Sequence, residues 1–447
     1  MDRLRRRLRP FYILAAMEQA RKLDLVIVGG GIGGIISLKY ARDAGLDALL
    51  LERDARIGGL WRDLPPWQDI QIRKEDWTLG DLPIAGEDQA SVLRNIEAWV
   101  ERFHLAPYIC VNCPVESARP TEQGWMVAAG GQSYQARYLI AATGGHNRPL
   151  VPHIERRDPA LRELHSSQLP DPELLRGQRV AVVGGGASAF DLLDLCFTRG
   201  ASTVDWIYRS IKWMRPTRGP KYFGADVRLL TRHQMLGATP ATISRAADAD
   251  LRARYARAGI AELAPAEPFD IEQHQLIPGR AAMIGNADRI ARHRAEVRAV
   301  EGGTIALSNG ERIEADLLLW GTGYAADLGY LEVEALSGAT DLKQVGRRMR
   351  AMFRSPDAPN LFLLAPGVLE TTTATPWAYA HAAKSIMSHI SGRATLDAPP
   401  YPAMINHCDM VKRLAKLDRA SYPRGLWRLK YLGLALWHPK SRPLPLP

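Results

Sequence analysis

The sequence has few cysteines, four in 447 residues. A chain of this length is not held together by so few disulfides, which favours a reducing compartment and predicts a cytoplasmic protein. No run of 18 apolar residues occurs, so no membrane-spanning helix is expected. The 11 histidines are scattered or lie at loop spacing, so no metal site is predicted. These shortages argue against disulfide-stabilised secreted modules, membrane-spanning proteins and metal-centred proteins.

The excess of positive charge, +10 in total, lies at the two ends of the chain. Residues 1–9 carry five arginines and one aspartate, and residues 393–447 carry ten basic and three acidic side chains. Residues 10–392 therefore contain 43 basic and 44 acidic side chains, and this balance gives no indication of nucleic-acid binding. We predict a basic N-terminal tail over residues 1–16, with Met17 as an alternative start.

A glycine-rich turn follows the first strand-like segment. Residues 23–28 predict a strand that is buried on both faces, and G-G-G-I-G-G at 29–34 opens a helical pattern that leads to a second strand over 48–51. In such a turn the glycines allow the bend, the approach of a pyrophosphate and close helix packing, and the helix N-terminus attracts the phosphates. Glu52, 18 residues after Gly34, is placed to accept hydrogen bonds from a ribose hydroxyl.

The same pattern recurs from residue 179 onward. A strand over 179–183 enters G-G-G-A-S-A at 184–189, in which Ala189 replaces the third glycine. Arg209 follows the second strand where the first unit has an acid. An arginine binds a 2′-phosphate that an acid would repel, so FAD is predicted at the first turn and NADPH at the second. Two such sites imply hydride transfer from nicotinamide to flavin.

Three further strand-like segments, at 138–144, 316–324 and 360–365, complete the organisation. They predict an α/β fold with two Rossmann-like dinucleotide-binding domains, in which the FAD domain is interrupted by an inserted NADPH domain. The predicted boundaries are 17–165 and 316–392 for the FAD domain, 166–315 for the NADPH domain, and 393–447 for a basic, amphipathic, helical C-terminal extension.

Over residues 24 to 392 the sequence resembles the class B flavoprotein monooxygenases, the family of flavin-containing, Baeyer–Villiger and N-hydroxylating monooxygenases. The motifs that carry the resemblance are the glycine turns at 29–34 and 184–189, G-G-L-W at 58–61, A-T-G at 142–144, G-T-G-Y at 321–324 and P-N-L-F at 359–362. G-G-x-W shortly after the ribose acid is more specific than either glycine turn alone.

The resemblance implies an NADPH-consuming, FAD-dependent monooxygenase. NADPH would reduce FAD, O2 would add to give a C(4a)-(hydro)peroxyflavin, and one oxygen atom would pass to a small organic substrate. Because the oxidant belongs to the cofactor, the absence of a catalytic triad or carboxylate pair is expected. The atom that is oxygenated, the substrate and the oligomeric state stay open.

The resemblance also assigns site residues. Lys74 and Glu75, counted back from D-L-P at 81–83, fall where flavin-containing monooxygenases carry Lys-Glu, and Gln71 falls on their flavin-facing asparagine. Gln71 and Lys74 are the predicted catalytic residues. The predicted cofactor-binding residues are Gly29, Gly31, Gly33, Gly34, Glu52, Arg53, Gly59, Leu60, Trp61, Thr143, Gly144, Gly184, Gly186, Ala187, Ser188, Ala189, Arg209, Ser210, Gly323, Tyr324, Thr371 and Thr372. Tyr379, which follows the threonine-rich turn, has two interpretations, facing the flavin or belonging to the core.

The family's F-x-G-x-x-x-H fingerprint is eroded in this chain. His165 stands at the expected place, but Pro159, Leu161 and Leu169 replace the phenylalanine, the glycine and the final aromatic residue. The branch of the family is therefore not assigned. His165 is expected to be a hydrogen-bonding residue of the hinge rather than a proton-transfer catalyst.

Cys110 and Cys113 form a C-x-x-C pair, which suggests an alternative function. Flavoprotein reductases use such a pair to carry electrons to a disulfide, and the alternative is an NADPH-dependent reductase acting on a disulfide, quinone or protein acceptor. The pair follows a predicted helix over 91–103 and enters a predicted strand over 111–115, which favours inert, buried cysteines. A flavin-binding protein without catalysis is a third class.

The C-terminal extension mixes basic and aromatic residues and has two interpretations. It packs on the enzyme's own surface, for instance at a homodimer interface, or it contacts an anionic membrane surface or an acidic carrier protein.

Overall fold

The computed structural model describes residues 20–70, 74, 79, 82–157, 160–216, 240–270, 273, 274, 276–339, 345, 346, 348–350, 354–358, 360–364 and 375–396. The predicted N-terminal tail, Gln71, Thr371, Thr372 and nearly all of the C-terminal extension lie outside the described residues. None of the described helices combines the length and hydropathy needed to cross a bilayer.

The helices are α1 (Ile32–Asp43), α2 (Leu60–Asp63), α3 (Gln89–Arg102), α4 (Ala187–Arg199), α5 (Pro240–Arg257), α6 (Ala281–Gly285) and α7 (Thr375–Ile390). The strands are β1 (Arg21–Val28), β2 (Ala48–Leu51), β3 (Ile109–Cys110), β4 (Val115–Thr121), β5 (Gly124–Ala129), β6 (Gln132–Ala141), β7 (Arg148–Pro149), β8 (Glu155–Arg157), β9 (Arg162–His165), β10 (Arg179–Val183), β11 (Thr203–Ile207), β12 (Met214–Arg215), β13 (Ile277–Pro278), β14 (Ile290–His293), β15 (Val297–Glu301), β16 (Thr304–Leu307), β17 (Arg312–Glu314), β18 (Leu317–Trp320), β19 (Tyr324–Ala325) and β20 (Leu361–Leu363).

The first sheet has the order β3-β2-β1-β6-β5-β4, and β20 also pairs with β6. Strands β1, β2, β3 and β20 run parallel to their neighbours, whereas β4, β5 and β6 form an antiparallel meander. Leu25, Val26 and Ile27 are fully buried in the central strand, as the apolar run predicts. Helix α1 connects β1 to β2, so the first βαβ unit is confirmed.

The second sheet is parallel throughout, with the order β14-β11-β10-β18-β9. Its first βαβ unit consists of β10, α4 and β11, also as predicted. A separate four-stranded sheet, β17-β16-β15-β8, and a short β12–β13 pair complete this half of the molecule.

Strands β9 and β18 do not lie in the domain to which the predicted boundaries assign them. The boundaries at 165 and 316 assign both strands to the FAD domain, but β18 pairs with β10 and β9 pairs with β18 in the second sheet. The reason is that β18 is the counterpart of β6, because each lies beside the first strand of its own unit. The chain passes between the units at β7 and β19, which pair antiparallel through Pro149 and Tyr324.

The third glycine of the first turn is required by packing. A Cβ on Gly34 would lie 1.9 Å from the carbonyl oxygen of Gly29, whereas the second unit carries an alanine, Ala189, at the equivalent position. We expect Gly34→Ala to lower the free energy of unfolding by about 3 kcal/mol, and Ala189→Gly to lower it by only about 1 kcal/mol. Chemical denaturation of both variants measures this difference. Equal losses would contradict the packing requirement.

Candidate dinucleotide-binding sites

The first glycine turn connects β1 to α1 at the carboxyl end of the first sheet. Gly29 has a φ of +106°, and a Cβ there would lie 2.6 Å from the carbonyl oxygen of Ala142. Gly31 is the N-cap of α1, and a Cβ on it would meet only the Cα of Gly59, at 3.6 Å. The turn is therefore closed on its sheet side and open above Gly31, where a bound group can approach the helix N-terminus.

Glu52 lies beside this turn, immediately after β2. Its two carboxylate oxygens accept hydrogen bonds from the backbone N–H of Gly30 at 2.5 Å and of Asp54 at 2.9 Å. The side chain is buried, and this burial raises its pKa. A carboxylate fixed in this way still has free lone pairs for ribose hydroxyls, so the open turn and the acid together fit the ribose and pyrophosphate of a dinucleotide.

The remaining residues predicted for the first site surround the turn. Gly59 has a φ of +54° and precedes α2, in which Leu60 and Trp61 are half-buried. Arg53 is exposed, with guanidinium nitrogens 3.6 Å from Asp54 and Asp63. Thr143 and Gly144 come one residue after the end of β6, next to Ala142, which contacts Gly29, and Gly33 lies inside α1.

The second glycine turn repeats the first at the carboxyl end of the second sheet. Gly184 has a φ of +134°, and a Cβ there would lie 2.2 Å from the carbonyl oxygen of Gly321. Gly186 is the N-cap of α4, and a Cβ on it would meet only the Cγ of Lys212, at 3.8 Å. The predicted residues Ala187, Ser188 and Ala189 form the first three positions of α4.

Arg209 and Ser210 lie just after β11, against the second turn. A Cβ on Gly185 would lie 1.8 Å from the carbonyl oxygen of Ser210, so the backbone of this segment lines the turn. The Arg209 side chain is 80% exposed, and its nearest carboxylate, Glu296, is 3.5 Å away. An exposed pair of this kind contributes little, so the guanidinium is available to a 2′-phosphate.

Lys212 is a residue that the sequence reasoning did not assign. Its backbone N–H donates to the carbonyl oxygen of Gly185 at 2.7 Å, and its side chain lies over Gly186. The available signal was a second basic residue three positions after Arg209. The placement puts a second basic residue against this turn.

His165 lies against the chain crossing at β19. Its Nε2–H donates to the carbonyl oxygen of Gly323 at 2.9 Å, and its Nδ1 accepts from the Ser167 backbone N–H at 3.2 Å. The ring is perpendicular to that of Tyr324 at 5.0 Å, and burial lowers the pKa of His165, which keeps the imidazole neutral near pH 7. This geometry agrees with a hydrogen-bonding residue of the hinge, and it places Gly323 and Tyr324 at the crossing.

The predicted catalytic residues receive little support. Gln71 lies outside the described residues. The side chain of Lys74 is exposed, with its Nζ 3.5 Å from the carbonyl oxygen of Ala85, so its catalytic role stays a prediction. Tyr379 is buried in α7 against Gly33 of α1, which favours its interpretation as a core residue.

The cysteine pair corrects one strand prediction. Residues 111–114 do not form a strand, because Asn112 has a φ of +53° and makes a turn between β3 and β4, which begins at Val115. The turn is joined to the segment after β2, since the Cys113 N–H donates to the Glu52 carbonyl oxygen at 2.8 Å. Both thiols are free, and burial raises the pKa of Cys113 to about 11, which makes it a poor nucleophile.

Two sheets, each with parallel central strands and a glycine turn at their carboxyl end, define an oxidoreductase fold with two dinucleotide sites. Residues 26–254, more than half of the chain, match the family model described as pyridine nucleotide-disulphide oxidoreductase. The chain belongs to this family.

Curated relatives are monooxygenases. A FAD-dependent monooxygenase of Pyrenophora dematioidea is 32% identical over 222 residues, which are 42% of this chain and 39% of that protein. Flavin-containing monooxygenase 5 of Cavia porcellus is 25% identical over 385 residues, 76% of this chain and 67% of that protein. In four of the relatives the matched segment spans 34% to 44% of the relative's own length.

Solved structures share the fold. An oxidised steroid monooxygenase bound to NADP has a TM-score of 0.66 at 17% identity, over 94% of this chain and 99% of that chain. The closed form of cyclohexanone monooxygenase has a TM-score of 0.67 at 15% identity, over 90% and 98%. With the curated relatives, these structures confirm the predicted resemblance to class B flavoprotein monooxygenases and the α/β fold class.

Proposed function

We propose that this protein is an FAD-dependent, NADPH-consuming monooxygenase that inserts one oxygen atom from O2 into a small organic substrate. The observation that carries the proposal is the contrast between its two turns. The first ends at Glu52, a buried carboxylate, and the second at Arg209, an exposed guanidinium. Relatives described as FAD-binding monooxygenases, and the solved structure of OTEMO in complex with FAD and NADP, support the same pair of cofactors.

At the first turn, the chain's own groups bind and orient the cofactor. The N-terminus of α1 and the open backbone at Gly31 would hold the pyrophosphate, and Glu52 would hold the ribose. FAD, when bound, would supply the oxygen chemistry.

At the second turn, Arg209 selects the phosphorylated dinucleotide. Gly186 and the N-terminus of α4 receive the pyrophosphate, Lys212 adds a positive charge, and Arg209 binds the 2′-phosphate. On this proposal NADPH binds at the carboxyl end of the second sheet.

The reductase alternative is less well supported. Cys113 is buried with a raised pKa, and the Cys110–Cys113 turn lies beside Glu52, on the ribose side of the first unit. A cytoplasmic location, a homodimer, and a membrane or carrier contact through the C-terminal extension remain proposals from the sequence.

Purified protein tests the proposal directly. We expect bound FAD, its anaerobic reduction by NADPH, and, on mixing with O2, a transient flavin species that precedes reoxidation. Reoxidation without a transient species, but rapid transfer to a disulfide or quinone, would favour the reductase. FAD that NADPH does not reduce would indicate a flavin-binding protein without this catalysis.

A further inference from the structure

A buried ion pair lies where the two nucleotide units contact each other. Arg280 is 1% exposed, and its Nε donates to the Asp191 Oδ1 at 2.5 Å, while its Nη1 donates to the carbonyl oxygen of Pro278 at 2.6 Å. The other carboxylate oxygen of Asp191 accepts from the Gln68 Nε2 at 3.2 Å. Asp191 and Arg280 belong to the second unit, whereas Gln68 belongs to the first, so the hydrogen bond crosses between them.

Stability alone is a weak reason for this pair. Burying two charges removes their hydration, and apolar replacements of buried pairs are often neutral or stabilising. Beyond packing, Asp191 supplies a hydrogen-bond acceptor whose orientation is fixed. It is the fifth residue of α4 and therefore lies close to the second glycine turn. The positive charge of Arg280 compensates the negative charge of that carboxylate at a buried position.

The segment that receives the hydrogen bond is held from both sides. The Trp67 Nε1–H donates to the carbonyl oxygen of Leu169 at 2.7 Å, and its ring packs against the core of the second unit. On the other side, the Ile70 N–H donates to the carbonyl oxygen of Glu87 at 2.9 Å, within the first unit. Residues 67–70 therefore bridge the units. From Gln68 to the predicted flavin-facing Gln71 the chain spans at most about 10 Å.

We propose that Arg280 is a positioning residue for flavin reduction. Arg280 holds the Asp191 carboxylate in place, and Asp191 in turn holds Gln68 by a hydrogen bond. Gln68 thereby fixes the start of the predicted flavin-facing segment relative to the second turn. This inference rests on the proposed function, because it concerns the geometry of hydride transfer from NADPH to FAD. Small displacements of reacting groups have large effects on such steps.

The test is the anaerobic reduction of the bound FAD by NADPH in a stopped-flow instrument. Gln68→Ala should lower the limiting rate constant about tenfold while FAD content stays full and the Kd for NADPH changes less than about twofold. A residue that only supports the fold would instead lower FAD content and Tm. Gln135→Ala is the matched control, because the Gln135 amide donates only in an exposed bond to Gln123 at 2.9 Å, and it should leave the rate constant unchanged.

Arg280 variants test the link through Asp191. Arg280→Met should lower the rate constant to a similar degree, the double variant with Gln68→Ala no further, and Arg280→Lys should restore part of it. A normal rate constant in Gln68→Ala, or multiplying effects in the double variant, would overturn the inference. If Arg280→Met does not fold, the inference is decided by comparing the limiting rate constants of Gln68→Ala and Gln135→Ala. If NADPH does not reduce the wild-type flavin, the proposed function fails and this inference fails with it.

Discussion

Gly31→Ala should give a folded protein that binds FAD about 100-fold more weakly. The new methyl group would meet only the Cα of Gly59, at an ordinary 3.6 Å, and φ at Gly31 is −79°, so the fold accepts it. The methyl would occupy the space through which a pyrophosphate approaches the N-terminus of α1. Flavin absorbance per protein and fluorescence titration of the apoprotein with FAD measure the loss. The free energy of unfolding should change by less than about 1 kcal/mol.

The equivalent change in the second turn is the matched control. Gly186→Ala places its methyl group 3.8 Å from the Cγ of Lys212, so it too should fold. We expect this variant to keep its FAD and to lose rapid reduction by NADPH. If Gly186→Ala lost its FAD and Gly31→Ala kept it, FAD would have to be assigned to the second turn and NADPH to the first. If Gly31→Ala bound FAD fully, the pyrophosphate could not bind at Gly31.

Arg209→Ala should raise the KM for NADPH roughly 10- to 100-fold and leave the KM for NADH nearly unchanged. The range corresponds to the loss of charge-assisted hydrogen bonds to the 2′-phosphate, of about 1.5–3 kcal/mol. Steady-state oxidation of the two nicotinamides measures it. The preference of the wild-type protein should also decrease with added salt, because the side chain is 80% exposed.

Arg298→Ala is the control for this change. The Arg298 guanidinium is also exposed and also lies 3.5 Å from a Glu296 oxygen, but it belongs to β15 and not to the end of β11. It should leave the NADPH preference unchanged. If both variants lost the NADPH preference equally, the preference would depend on overall positive charge and not on Arg209 itself. If Arg209→Ala kept the preference, Arg209 would not bind the 2′-phosphate.

Local patterns predicted the parts of the site that are local in structure. The apolar run before Gly29, the spacing to Glu52 and the repeat that ends at Arg209 each lie within a single βαβ unit. Their geometry follows from turn chemistry and from strand and helix periodicity. The structure accordingly places both turns, the acid and the arginine at the carboxyl ends of their sheets.

Pairing between distant segments did not follow from these patterns. An apolar strand such as β18 is compatible with either sheet by composition, and only its register with β10 decides the sheet to which it belongs. The turn at Asn112 was not predicted because the residues on either side of it are as apolar as those of a strand. The left-handed φ of Asn112 is indicated in the sequence only by the asparagine itself.

The sequence by itself determined that this chain carries two dinucleotide sites of opposite electrostatic character, because each is encoded by neighbouring residues. Only the tertiary structure decided which strands complete each sheet, that the cysteine turn lies beside Glu52, and that Arg280 and Asp191 reach across to Gln68. The physical reason is that these contacts join residues far apart in the chain, for example 61 positions from Glu52 to Cys113, 123 from Gln68 to Asp191 and 222 from Leu139 to Leu361. The hydrogen bonds and burial that select them exist only after the distant segments have folded against each other.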